Sequence, residues 1–176
     1  MVPSVSGRLV RSGKKGGPSV NRGRKGKGSH LHLLTDGNGV PLSVLVTEAS
    51  RQESPLALDV VDAICVRQPG RKPRMRPKTL IADKGYDSMP LRRELRKRNI
   101  QPIIPKRQRN NQKRKRGRPA GSYHPLRYQG RWIVERAFAW MDNYRRITVR
   151  WDYTDYAYNA WIMIYCILTC IKELLR

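Results

Sequence analysis

Residues 79–104, TLIADKGYDSMPLRRELRKRNIQPII, decide the fold class. Thr79 to Asp83 is a short apolar run ending in an acid, which suits a buried strand. Asp87 or Ser88 can cap a helix from about 89 to 98 that turns Leu91 and Leu95 inward. Gln101 to Ile104 then forms a second strand, stopped by Pro105. Strand, helix and strand at this spacing predict a parallel βαβ unit, and hence an α/β domain.

Working outward, SHLHLLTD (29–36) alternates and meets the turn Asp36-Gly37-Asn38-Gly39, after which Leu42 to Thr47 is again apolar. Two such runs around an Asp-Gly/Asn-Gly turn predict a hairpin. Leu58, Val61, Ala63, Ile64 and Cys65 fall at helical spacing, so a helix is expected over about 55–66, followed by a basic connector, GRKPRMRPK (70–78). Residues 1–28 hold eight basic residues and no acid, and read as a Gly-rich basic arm with order beginning near Ser29. Downstream, a polar basic loop spans 105–122, and helices are expected over about 124–145 and 156–175, joined by an extended segment from Ile147 to Tyr153. The expected organisation is therefore an arm, 1–28, and one domain, 29–176.

The 176 residues carry 37 Lys and Arg against 13 Asp and Glu, a net charge of +24. Such a surplus repels itself in a compact monomer unless a polyanion screens it, so nucleic acid is the first partner to test. Charge suits an RNA-associated protein equally well, but no RNA-binding module signature is present. Cys65, Cys166 and Cys170 form no Cys-x-x-Cys pair and complete no ligand set with His30, His32 and His124. Buried reduced thiols in a cytoplasmic protein are expected instead. The most apolar run, Ala160 to Ile171, is 12 residues long. A membrane span needs about 20, so a core helix and no membrane partner are expected.

Three constellations can carry chemistry. Asp83 stands at the carboxyl end of a buried strand, where open α/β sheets place ligands, although a turn or capping aspartate reads the same way. Glu135 lies in YQGRWIVERAFAWMDNYRR (128–146). There Ile133, Ala137, Trp140 and Tyr144 form an apolar stripe, and Tyr128, Arg131, Glu135 and Asp142 share the opposite face, which is otherwise a solvated charged surface. Residues 106–118 have eight basic side chains in thirteen, with Arg114, Lys115, Arg116 and Arg118 as candidate DNA contacts. An Arg-Gly-Arg-Pro segment can enter a minor groove, or simply contact phosphates as a linker. The Trp and Tyr residues of 151–165 are expected to pack the last helix rather than stack bases.

IADKGYDS (81–88) followed by Tyr128-x-x-Arg131-x-x-x-Glu135 resembles the DDE transposases of bacterial insertion sequences, in the group-five branch of the broad group-four superfamily. RKGKGSHLHLLTDGNGVPLSVLVTEAS (24–50) and RWIVERAFAWMDNYRRITVRWD (131–152) agree, as does the separation of the two acids, 135 − 83 = 52. The resemblance covers about residues 13–172. It implies an RNase H-like mixed sheet flanked by helices, on which two aspartates and a glutamate hold two Mg²⁺ or Mn²⁺ ions. Carried over by motif, Asp83 is the second aspartate and Glu135 the glutamate, both metal ligands and catalytic; Tyr128 and Arg131 belong to the flanking DNA-contact signature. Carboxylates are the right ligands for such hard cations.

The same resemblance exposes departures. Ser6-Gly7-Arg8-Leu9-Val10 before Lys14-Lys15-Gly16-Gly17 puts Ser6 where the family's first aspartate stands, so the first catalytic strand is expected to be altered or missing. Asp36 is the nearest surviving acid, and Asp142 occupies a position where many relatives carry Lys. The separate N-terminal DNA-binding region of full-length relatives is expected to be lacking. The implied activity is strand cleavage and transfer at element ends in the nucleoid, impaired in this chain alone. An upstream-frame polypeptide would complete the enzyme, working as an oligomer on DNA. A catalytically silent DNA-binding regulator is the alternative.

Overall fold

The computed structural model describes residues 4–23, 26–51, 53–107 and 128–175. A mixed sheet is built around β1 (Ser4–Gly13). On one side β1 runs antiparallel to β3 (Gly26–Thr35), which is in turn antiparallel to β4 (Pro41–Glu48). On the other side it runs parallel to β7 (Thr79–Ile81), and β7 runs parallel to β8 (Gln101–Ile103). Short strands β2 (Asn21–Gly23) and β9 (Val149–Arg150) extend the sheet beside β3 and beside the far end of β1.

The period-two alternation of strands sends successive side chains to opposite faces. Leu33 and Ile81 join one core with α3 (Trp132–Met141) and α5 (Asp155–Leu174), through Val134, Ala137, Phe138, Met141, Tyr158 and Ile162. Leu34 and Leu80 join the other core with α1 (Glu53–Asp62) and α2 (Met89–Lys97), through Val60, Val61, Leu91 and Leu95. The result is the α/β architecture expected, a mixed sheet flanked by helices on both faces. Truncating any of these buried leucines to alanine costs about 2–5 kcal/mol.

The βαβ unit forms as read. Asn99 takes the left-handed conformation (φ 58°) that ends α2, and Ile100 N–H bonds back to Leu95 O at 2.8 Å. Ser88 occupies the N-cap of α2 without a side-chain bond. Asp87 instead accepts from Arg92 Nε at 2.8 Å and from the Arg107 N–H at 2.7 Å, while Arg92 Nη2 donates to Ile104 O at 2.6 Å. The hairpin around Asp36 also forms, with Asp36 Oδ1 accepting from the N–H groups of Asn38 and Val40, each at 2.9 Å.

Several expectations change. The basic arm expected over 1–28 is, over residues 4–13, the central strand, paired with β3 over eight residues from Val5↔Thr35 to Ser12↔Gly28. Its Gly, Ser and Arg content concealed it, because Gly7 is where α3 presses on the sheet and Arg11 is buried against an acid. The first strand is therefore altered, not missing. Helix α1 stops at Asp62, and the expected connector pairs as β5 (Val66–Gln68) and β6 (Arg71–Arg74) around Pro69-Gly70, a turn dipeptide with Gly70 at φ 67°.

The helix expected over 124–145 is, within the described residues, a 3-10 turn (Gln129–Arg131), α3, and a separate α4 (Arg145–Thr148). Because α3 ends at Met141, Tyr144 leaves the stripe and is exposed, and Val134, Phe138 and Met141 take its place in the core. Cys65 is exposed and Cys166 and Cys170 are half-buried, contrary to the expected burial of all three; burial pushes the Cys166 thiol up to about 12. In α5, Tyr158, Ile162 and Tyr165 are buried. No helix among the described residues is long and apolar enough to cross a membrane.

Candidate active site

Asp83 lies two residues past the end of β7 and caps the 3-10 turn Lys84–Tyr86, its Oδ1 accepting from Gly85 N–H at 2.7 Å. The capping role weighed for it is thus present, and so is a second one, since its carboxylate also lines a cleft. The turn is anchored from below: the buried Tyr86 hydroxyl lies 3.3 Å from Nδ1 of the buried His32, whose Nε2 lies 3.0 Å from Thr47 Oγ1. Burial, with smaller contributions from His30 and Arg8, lowers the His32 pKa to about 3. His32 is therefore neutral at physiological pH, and it ties the Asp83 turn to β3 and β4.

Glu135 lies on the outer face of α3. Arg131, one turn earlier, donates to Glu135 Oε1 at 2.5 Å and to Tyr128 Oη at 3.3 Å. Partial burial works against the Arg131 charge, but the bond to Tyr128 and the negative charges of Glu135 and Asp83 hold its pKa above the usual guanidinium value. A cleft of about 330 Å³ brings these groups together, with Asp83, Arg131, Glu135, Asp142, Gly7 and Arg8 on its walls. Two acids separated by 52 residues in the chain thus share one opening beside the arginine that the sequence grouped with them.

The position assigned to the first aspartate does not contribute. Ser6 is buried and pairs with Leu34, on the sheet face turned away from α3. Gly7 faces the cleft instead; continuing the register from Val5↔Ile81 sets it beside Asp83. A Cβ there would stand 2.9 Å from Phe138 Cε2 and from Val134 Cγ1. Asp142 reaches the cleft but is ion-paired with the buried Arg11, and Asp36 holds the hairpin turn. Arg114, Lys115, Arg116 and Arg118 lie outside the described residues, as does the loop 105–122 beyond Arg107.

The donor set decides which cations fit. Among the described residues no group of three or more His, Cys, Asp or Glu side chains converges as a metal site. Asp83 and Glu135 bring two carboxylates to the cleft, too few for a pair of hard cations. From the sequence Gly7 and Arg8 are only neighbours of Ser6, because the strand that carries them has the composition of a basic arm. Trp151 and Tyr153, expected to pack the last helix, are instead 43% and 64% exposed.

Comparison with known proteins places this geometry in context. A family model described as "Transposase DDE domain" matches residues 6–170. The chain is 36% identical over 164 residues to a Burkholderia cepacia protein named "Putative transposase for insertion sequence element IS402", covering 92% of this chain and 71% of that one. Among solved structures, a piggyBac transposase synaptic complex with hairpin DNA aligns at a TM-score of 0.44 and 11% identity, over 68% of this chain. The chain spans 27% of that protein's length.

Proposed function

Because the chain belongs to the DDE transposase family of bacterial insertion sequences, we propose that it processes DNA strands at insertion-sequence ends through the Asp83–Glu135 cleft, with catalysis impaired in this chain alone. The observation that carries the reading is the meeting of Asp83 and Glu135 in one cleft beside Arg131. DNA is the partner: the net charge of +24 favours a polyanion, and affinity should fall steeply with salt as counterions are released.

In this reading Arg131 is both a phosphate contact and a gate. At rest it neutralises Glu135. An entering DNA phosphate, singly charged like the carboxylate, offers the guanidinium an alternative bidentate partner, and the exchange releases the glutamate carboxylate toward the reacting group. Tyr128 orients Arg131, and Arg114, Lys115, Arg116 and Arg118 add backbone contacts. Asp83 and Glu135 would hold one Mg²⁺ or Mn²⁺, which supplies charge stabilisation at a phosphate. A two-cation arrangement does not fit these residues, because strand β1 presents Gly7 where a third carboxylate is needed. That deficit is the reason for expecting impaired cleavage, and for expecting a second polypeptide, from an upstream frame or another copy in an oligomer on DNA, to complete the site. The setting is the bacterial cytoplasm, on the nucleoid.

The β1 deficit equally favours a second reading, a catalytically silent DNA-binding regulator that competes for element ends. Incubation with a DNA end bearing the element terminus and Mg²⁺ or Mn²⁺ separates the two. Weak nicking that vanishes in Asp83→Ala and Glu135→Ala supports the enzyme. No nicking, with salt-sensitive binding unchanged in both variants, supports the regulator. Robust nicking that survives Asp83→Ala removes the assignment of the cleft.

A further inference from the structure

The far end of β1 carries a second concavity. Six residues beyond Gly7, about 20 Å along the strand, β1 ends at Gly13 beside Arg150 of β9. There a pocket of about 620 Å³ is lined by Lys15, Arg145, Arg146, Trp151, Asp152 and Tyr153. That volume falls within the range of small-molecule sites.

Its walls are fixed rather than loose. Arg150 is wholly buried; it bonds Asp155 Oδ1 at 2.6 Å and Ser29 Oγ at 3.0 Å, and donates to the backbone oxygens of Asp152 and Tyr153 at 3.1 and 3.3 Å. The Lys14-Lys15-Gly16-Gly17 turn is docked on the same segment: Lys14 N–H bonds Arg150 O at 3.0 Å, and a Cβ on Gly17 would stand 2.1 Å from Tyr153 O. This close approach, at φ +126°, requires glycine. Asp152 is turned inward toward Arg146 at 3.6 Å, with its side chain 16% exposed, while the aromatic residues on either side of it are exposed. Two aromatic rings and three cations therefore stand around one opening on a rigid base.

We infer that this pocket binds an unpaired DNA nucleotide, its base stacked on Trp151 or Tyr153 and its phosphates held by Lys15, Arg145 and Arg146. The inference rests on the proposed role at DNA ends and extends it. Aromatic faces accept any base, and a cationic rim holds the backbone on both sides of it. A neutral apolar ligand would gain nothing from the three cations, and a bare phosphate nothing from the rings. The spacing also fits: about 20 Å corresponds to about six base steps, so a nucleotide splayed out near a DNA end would sit within one turn of the cleft.

The test uses a single-stranded DNA oligonucleotide carrying one 2-aminopurine, and the same sequence as a blunt duplex. Wild type should change the 2-aminopurine fluorescence of the single strand. Trp151→Ala or Tyr153→Ala, whichever removes the ring that carries the base, should weaken single-strand binding about 5- to 100-fold, the range for loss of one stacked base, with duplex binding within about twofold. Trp151→Phe should retain most of the affinity, which separates stacking from loss of the fold. Equal single-strand affinity in wild type and both alanine variants, with duplex binding intact, overturns the pocket and leaves the proposed function standing. Failure of the wild type to bind either DNA overturns both.

Discussion

The two ends of β1 handle charge in opposite ways. At the cleft end, Arg131 neutralises Glu135, Arg11 neutralises Asp142, and Asp83 is engaged by a backbone N–H. At the pocket end, the buried Arg150 is matched by Asp155, but neither Lys15 nor Arg145 has an ion-pair partner among the described residues, and two aromatic rings face outward. The glutamate and Asp142 of the cleft are balanced by arginines of the chain itself. In the pocket Arg146 is matched by Asp152, and Lys15 and Arg145 are left to meet an external anion. The same strand thus carries a cleft whose glutamate is paired by its own arginine and a pocket with two cations outside any ion pair among the described residues.

The largest effect separating the two ends should come from Arg150→Met. The variant leaves Asp155 without its charge partner, although Ser19 Oγ still donates to it at 2.5 Å, and it releases the backbone of 152–153. Asp155 is 34% exposed, so the charge left behind is partly solvated, and the loss should be about 1.5–3 kcal/mol, from the charge-assisted hydrogen bonds that Arg150 no longer makes. Urea denaturation should register that loss, and single-strand binding should fall with it. A loss under about 1 kcal/mol would mean that the pocket wall stands without Arg150.

His32 provides the matching handle beneath the cleft. Its folded pKa of about 3 lies below the ordinary value of 6.5, so below pH 6.5 the unfolded chain binds a proton that the folded chain refuses. Stability is therefore complete above about pH 6.5 and declines as pH falls toward 3, by up to about 1.4 kcal/mol per pH unit. Replacement by glutamine should flatten that part of the curve, measured by thermal unfolding at a series of pH values. An unchanged slope would show that another group governs acid loss.

How much of this was legible depended on where each residue's partners lie. The βαβ unit and the Asp36 hairpin carry their own instructions: an alternating or continuous apolar run, a turn dipeptide, a helix with Leu91 and Leu95 four apart. Strand β1 carries almost none. Its stability comes from neighbours on both edges and from the α3 side chains over Gly7, so a propensity reading sees only Gly, Ser and Arg. Motif and spacing group Asp83 with Glu135, and both line one cleft. Which β1 side chain faces them was not legible, because a one-residue change in position along a strand moves a side chain to the other face of the sheet. The exposure of Trp151 and Tyr153 was hidden for a similar reason, since composition favours aromatic packing and only the buried Arg150 and Asp152 turn them out.

Gly7→Ala tests the floor of the cleft. The added methyl meets Phe138 and Val134 at 2.9 Å, and overpacking of this kind costs about 1–3 kcal/mol. Combining it with Phe138→Leu should return part of the loss, by double-mutant analysis of urea midpoints. Full tolerance of the single substitution would mean that α3 can lift from the sheet, and the cleft would then be able to accept a longer side chain at position 7.

The smallest stability effect should come from Arg131→Met, and it is the sharpest test of the contrast between the ends. The Arg131–Glu135 pair is exposed, at 38% and 58%, so losing it should change stability by no more than about 1 kcal/mol. If Arg131 exchanges Glu135 for phosphate, the variant should reduce the salt slope of duplex binding by about 1, as loss of one phosphate contact does. Lys15→Met removes one cation from the pocket and should leave that duplex slope unchanged while reducing the slope for single strands. Equal changes on both DNAs from both variants would merge the two ends into one undivided basic surface. An Arg131→Met slope equal to wild type on both DNAs would instead leave the arginine a purely internal partner of Glu135.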